Sequence, residues 1–184
     1  MHAWRRLASA VAVIALLGAG CTANGREPEV VDGEEALVFH VVDGDTFDVE
    51  FPGGTTERVR AAQIDTPEMD ECGYAESAAT LEELILGETV RLVPTAAGPD
   101  RDGNGRLLRA SELDGDDVGQ LIVQGGFARW EPWYADEDPR LASMYELAER
   151  QARDEGAGLW SSCRWSSADR DERTYLLAVG SSSA

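Results

Sequence analysis

The chain has 184 residues, the length of one domain once its ends are set aside. Its sixteen basic residues, all arginine, stand against thirty-five acidic ones for a net charge of −19, while hydrophobic residues make up 43%. That balance supports a real core and excludes a nucleic-acid binder that works through a broad basic face; an anionic ligand needs a local site instead.

Met1 to Gly20 reads as two arginines followed by an apolar run that ends in small residues just before Cys21. This is the layout of an export signal, and the run is too short for a spanning helix. The stretch "LLGAGC" is similar to the lipobox of bacterial lipoproteins, with Gly18 where leucine is usual, which makes Cys21 a candidate for lipidation. The alternative is an ordinary signal peptide cut nearby, with Cys21 incidental. Either way an exported protein is expected, anchored to the cell membrane as a lipoprotein or secreted. Thr22 to Ala36 is small, acidic and aperiodic and reads as a tether. The expected layout is a signal peptide over 1–20, a tether over 21–36, a compact domain over 37–164 and a loose tail over 165–184.

Within the domain, Val38 to Val42 is an apolar strand, and Phe47, Val49 and Phe51 alternate with polar residues to make a second. Between them "VVDGDT" carries Asp43 and Asp45 one residue apart, which is first of all a hairpin-turn signal. Thr56 to Ile64 predicts a third strand bearing Arg58 and Arg60, stopped by Pro67. A helix follows with Ala78, Leu81, Leu84 and Ile85 on one face and Gly87 at its C-terminal cap, and Val90 and Leu92 continue as strand. "GPDRDGNGR" is a loop or long turn from which "LLRAS" leads out. Val118, Leu121 and Ile122 mark a short helix closed by Gly125 and Gly126. Asp138 caps a last helix with Pro139 at its first position, Leu141, Met144, Tyr145, Ala148 and Ala152 facing inward and Gly156 ending it. Short strands with one helix inserted and two following are an α+β pattern, and a small closed barrel leaves such strands no open edge.

Three stretches carry further meaning together: "VVDGDT", then "RAAQIDTPE" from Arg60 to Glu68, then "DRDGNGR" from Asp100 to Arg106. In order and rough spacing they resemble the thermonuclease family, the staphylococcal-nuclease-like domains, over about Phe39 to Trp160, and "GLW" after the last helix fits as well. The resemblance implies a five-stranded OB-fold barrel with three helices. It implies that Asp45 and Asp65 bind the metal, with the Thr66 main-chain carbonyl beside them and Asp43 close by, that Glu68 is the general base, and that Arg60 and Arg106 bind phosphate. The metal it implies is calcium, a hard cation that suits a site of carboxylate and carbonyl oxygens without sulfur or imidazole. Arginine's planar fork suits two phosphate oxygens at once. Each residue also has a plainer reading: Asp65 as an Asx turn, Glu68 as a first-turn helix acid, Arg60 as a cross-strand ion-pair partner and Arg106 as a solvated loop charge. Two features depart from the family pattern. Gly103 and Asn104 replace a lysine and a tyrosine that help hold the nucleotide, and Glu131-Pro132 interrupts the run of base-facing tyrosines, leaving Trp133 and Tyr134 as candidate stacking residues or as rim packing.

The activity implied is calcium-dependent hydrolysis of phosphodiester bonds in DNA and RNA, leaving 3′-phosphate ends, with single strands preferred and a monomer expected. The alternatives are a non-catalytic nucleic-acid- or protein-binding module on the same barrel, and an acidic envelope protein that sequesters calcium. Export into an oxidising compartment, with Cys21 lipidated, leaves Cys72 and Cys163 as the two remaining thiols, and a disulfide between them is expected; two buried free cysteines are the alternative.

Overall fold

The computed structural model describes residues 32–131, 137–163 and 165. The alternation read in the sequence becomes β1 (Glu34–Val41), β2 (Thr46–Glu50), β3 (Thr56–Ala61), β4 (Ile64–Asp65), β5 (Thr89–Pro94), β6 (Leu107–Leu113), β7 (Asp116–Asp117) and β8 (Arg129–Trp130). Four helices accompany them: α1 (Tyr74–Ile85), α2 (Val118–Gln124), α3 (Pro139–Glu155) and the single turn α4 (Leu159–Ser162).

Strands β3, β2, β1, β5 and β6 pair antiparallel in that order, and β3 then meets β6 in parallel, with Val59, Arg60 and Ala61 opposite Leu107, Leu108 and Arg109. This closes a five-stranded barrel and leaves none of the five with an open edge. Side chains of period two fill its interior: Val38, Phe47, Val49, Val59, Val90, Leu92 and Ala110 are all buried. Helix α1 adds Leu81 and Ile85 to this core, with Leu84 partly buried, and the chain leaves it through Gly87 at φ 84°, a left-handed position that glycine takes without strain. Asp138 caps α3 by accepting hydrogen bonds from the N–H groups of Arg140 and Leu141, with Pro139 next to it, and Gly156 closes the helix. The short α4 is one more helix than the three expected, and it buries Leu159 and Trp160.

Two boundaries differ from the sequence reading. Strand β1 begins at Glu34, inside the expected tether, because Glu34 to Leu37 pair with Leu92 to Thr89 and Ala36 is buried. The predicted strand from Thr56 to Ile64 is two strands. Gln63 takes a left-handed φ of 58°, the N–H of Ala62 donates to the Arg109 carbonyl, and Ile64 and Asp65 turn away to pair with Trp130 and Arg129. Ala61, Ala62, Gln63 and Ile64 are consecutively buried, so the inside-outside alternation that defines a strand fails at this bend.

Cys72 and Cys163 form a disulfide with an S–S distance of 2.07 Å, joining the segment before α1 to the end of α4. Beside this end, the Arg129 guanidinium lies over the ring of Trp165 at 4.3 Å and that of Trp160 at 5.8 Å. The leader with Cys21, the residues Trp133 and Tyr134, and the tail beyond Trp165 lie outside the described residues. Among the described residues no helix is long and apolar enough to cross a membrane.

Candidate active site

The β1–β2 turn builds the first part of the site. The Asp43 carboxylate accepts the N–H of Asp45 at 3.1 Å, an Asx turn, while the N–H groups of Val42 and Asp43 donate to the Thr46 carbonyl. Gly44 has no room for a side chain, since a Cβ there would stand 2.7 Å from Ser77 Cβ and 2.9 Å from Thr66 Cγ2. The turn therefore packs flat and delivers Asp45 inward, where it is 5% exposed. Asp45 Oδ2 accepts from the Thr66 N–H at 3.1 Å and from the Thr66 hydroxyl at 2.8 Å. Asp45 Oδ1 accepts from the Thr46 hydroxyl at 3.1 Å and pairs with Arg60 Nε at 3.0 Å. The bonds to Thr66 fix the segment that carries Asp65 and Glu68 against the start of β2. The hairpin signal and the candidate site are thus one structure.

Arg60 stands directly across from Thr46 on β3. Its Nη1 donates to the carbonyls of Ala61 and Ile64, both at 2.7 Å, bridging the bend between β3 and β4, and its Nη2 lies 3.9 Å from Asp65 Oδ1. One guanidinium is thereby held between Asp45 and Asp65. Arg106 is held by Asp102. One oxygen of Asp102 accepts the N–H groups of Asn104 and Arg106, both at 2.9 Å, and the other accepts Arg106 Nε at 2.6 Å. Burial pushes the Asp102 carboxyl up, but the bonds from the Arg106 side chain and from these two N–H groups outweigh it and hold the group below its ordinary value. Arg106 Nη1 then donates to the Thr46 hydroxyl at 3.2 Å, so Thr46 links Arg106 to Asp45.

Arg60, Asp65, Asp102, Arg106, Glu131 and Glu137 line a cavity of about 400 Å³. Asp45 reaches this cleft through Arg60, Asp43 through the Asp45 N–H, and Thr66 through the Asp45 carboxylate. Glu68 is exposed and does not line the cavity; its N–H donates to the Glu71 carboxylate at 2.9 Å. Thr46 and Asp102 are parts of the site that sequence reasoning missed. The only signal for Asp102 is an acid four residues before Arg106 in a glycine-rich turn, and for Thr46 there is only its place beside Asp45.

Asp43, Asp45 and Asp65 offer carboxylate oxygens, and Thr66 offers a carbonyl. Burial, and after it the negative charge of Asp45, push the Asp43 carboxyl above its ordinary value. Asp45 and Asp65 flank Arg60 and Asp43 adjoins Asp45, so these carboxylates outnumber that guanidinium. In donor type and in charge this set fits a hard divalent cation. Among the described residues, however, no group of three or more His, Cys, Asp or Glu side chains is placed so that it could hold a metal ion.

These features define a closed α+β barrel with Arg60, Asp65, Asp102 and Arg106 lining one cleft and Asp45 paired with Arg60. Residues 58–162 match the family described as staphylococcal nuclease homologue. The chain is 32% identical to a micrococcal nuclease of Shigella flexneri over 131 residues, covering 67% of this chain and 72% of that one. It is 30% identical over 124 residues to an uncharacterized endonuclease of Haemophilus influenzae, covering 67% and 65%, and 29% identical over 138 residues to an SPbeta prophage-derived endonuclease of Bacillus subtilis, covering 72% and 45%. The chain belongs to the staphylococcal nuclease family. It spans 45% to 65% of the length of several of the curated relatives it matches.

Proposed function

We propose that this chain is an exported, calcium-dependent nuclease that hydrolyses phosphodiester bonds of DNA and RNA and leaves 3′-phosphate ends. The observation that carries the reading is the convergence of Arg60 and Arg106 on one cleft with Asp65 on its wall and Asp45 behind Arg60. The endonuclease and nuclease names of the relatives support it. With Arg60 Nε and Nη1 held by Asp45 and the Ala61 and Ile64 carbonyls, and Arg106 Nε and Nη1 by Asp102 and Thr46, the Nη2 groups are the donors each guanidinium would turn to the non-bridging oxygens of a phosphate, and little reorganisation is needed as charge accumulates there. Asp45, Asp65 and the Thr66 carbonyl, with Asp43 beside them, would hold calcium, and the ion would supply Lewis-acid polarisation of the phosphate. Glu68, exposed outside the cleft and two residues beyond the anchored Thr66, would take a proton from the attacking water once its side chain is turned toward the phosphate. The new bond joins the water oxygen to phosphorus, the bond from phosphorus to the 5′-oxygen breaks, and the 5′-oxygen takes a proton from solvent water and leaves as a hydroxyl. Single strands suit a small barrel better than duplex, because their bases can splay.

The deciding experiment incubates the protein with single-stranded DNA and with RNA, first in calcium and then with a chelator. Cleavage in calcium, its loss with chelator, and release of inorganic phosphate from the products by a phosphomonoesterase are expected. No cleavage at any calcium level ends the reading. The leader supports export with a lipid on Cys21. Cys21→Ser should then move the protein from the membrane fraction to the medium, whereas wild-type protein found wholly in the medium leaves only an ordinary signal peptide.

A further inference from the structure

A phosphodiester of a strand carries a nucleoside on each side. A second hollow of about 450 Å³ is lined by Phe39, Asp48, Glu57, Arg58 and Asn104 and shares Arg106 with the cleft. Arg106 is thus the one residue of the two linings that both hollows share. A phosphate on Arg106 with one nucleoside in the cleft sends its other nucleoside toward this groove. We propose that the groove is the subsite for that second nucleoside of a single strand, with Phe39 as the stacking platform for its base and Arg58 as the contact for the next phosphate. The inference rests on the nuclease reading and adds a residue set to it.

Phe39 lies on β1 with its side chain outward: its neighbour Val38 is fully buried, whereas Phe39 is 48% exposed. A lone exposed aromatic needs no explanation, but this one borders a concavity that also holds arginine side chains, the pairing that single-strand sites use. The volume is that of a small-ligand site. The charge of the groove is also suitable. Asp48 is bonded by Arg58 Nε at 2.7 Å, by Arg58 Nη2 at 3.0 Å and by His40 Nδ1 at 2.9 Å, and Glu57 is bonded twice by Arg101, at 2.8 and 2.9 Å. In a chain of net charge −19, both acids of this groove are matched by arginine. Arg58 turns Nε and Nη2 toward Asp48, and a guanidinium has donors beyond those two for a phosphate oxygen.

The test measures binding to the full-length protein in calcium of thymidine 5′-phosphate and of a thymidine dinucleotide with a methylene in place of the bridging 5′-oxygen, which cannot be cut at that bond. The wild type should bind the dinucleotide more tightly than the mononucleotide. Phe39→Ala should reduce that ratio by at least about fivefold, the lower end of what one base on an aromatic ring contributes, and Phe39→Trp should restore it. A ratio unchanged in Phe39→Ala, with an unchanged melting curve, overturns the proposal, as does a wild type that gains nothing from the second nucleoside. Tighter dinucleotide binding by the wild type without hydrolysis of the natural dinucleotide leaves the groove standing and removes the nuclease reading. Hydrolysis with a ratio indifferent to Phe39 does the reverse.

Discussion

Asp102 shows how one carboxylate can set the aim of another residue's charge. It holds the backbone of Asn104 and Arg106 with one oxygen and Arg106 Nε with the other, so the guanidinium enters the cleft in a fixed direction. Asp102→Asn removes the charge-assisted bond, worth about 1.5–3 kcal/mol, and kcat/KM on single-stranded DNA should fall by roughly 10-fold or more. If Asp102 acts through Arg106, adding Asp102→Asn to Arg106→Ala should cost almost nothing further; losses that add in the double variant would show that it acts elsewhere. Glu68→Gln tests a different role at nearly constant size. Turnover should drop by about 10²-fold or more while nucleotide binding persists, and cleavage at the wild-type rate in saturating calcium would remove Glu68 as the base. At this scale Asp43, Asp45, Asp65, Arg60 and Arg106 stand out in three short motifs as candidates, because a carboxylate or an arginine announces its chemistry, and the structure brings Asp65, Arg60 and Arg106 to one cleft. Thr46 and Asp102 were not legible in this way, since their roles depend on which neighbours a closed turn and a closed barrel bring within 3.2 Å.

Among the elements, helices were read closely because their signals are local: Asp138 and Pro139 open α3, Gly156 closes it, and Gly87 follows α1. Strand limits were read less well, since Glu34 to Ala36 become strand only through β5, and Ile64 leaves β3 only because β8 offers another partner. The start of α2 combines a cap with a buried charge. Asp117 accepts the Gln120 N–H and the Tyr145 hydroxyl, both at 2.8 Å on Oδ1, while Oδ2 is buried without a hydrogen bond among the described residues. Burial is the largest influence and pushes the Asp117 carboxyl above its ordinary value. A folded value above the unfolded one means a contribution that is full below the unfolded value and lost as pH rises through the folded one. Asp117→Asn keeps an acceptor for both donors and removes the ionisation. The melting temperature of the variant minus that of the wild type should therefore increase as pH is raised from about 3 to 7, and a difference that shrinks would mean the carboxylate is stabilised by its surroundings.

At the scale of the whole domain, over the described residues, α4 is tied back to the segment leading from the site. Cys72 lies between Glu68 and α1, Cys163 follows α4, and 91 residues separate the two cysteines. A cross-link over so long a loop removes much of the unfolded chain's freedom, about 4 kcal/mol in the chain-entropy model. Gly73, next to Cys72, sits against the Leu159 side chain with φ at 92°, so the same contact also docks α4. The segment from Thr66 to Cys72 is thus anchored at one end by the bonds of Thr66 to Asp45 and at the other by the disulfide. Replacing both cysteines with alanine should lower the melting temperature by several degrees or more. It should also lower turnover more than it weakens nucleotide binding, because the released end lies nearer Glu68 than Arg60 or Arg106 in the chain. Dithiothreitol should lower the melting temperature of the wild type and leave that of the double variant unchanged. Equal sensitivity to reductant in both proteins would show that this bond does not hold the barrel's two ends together.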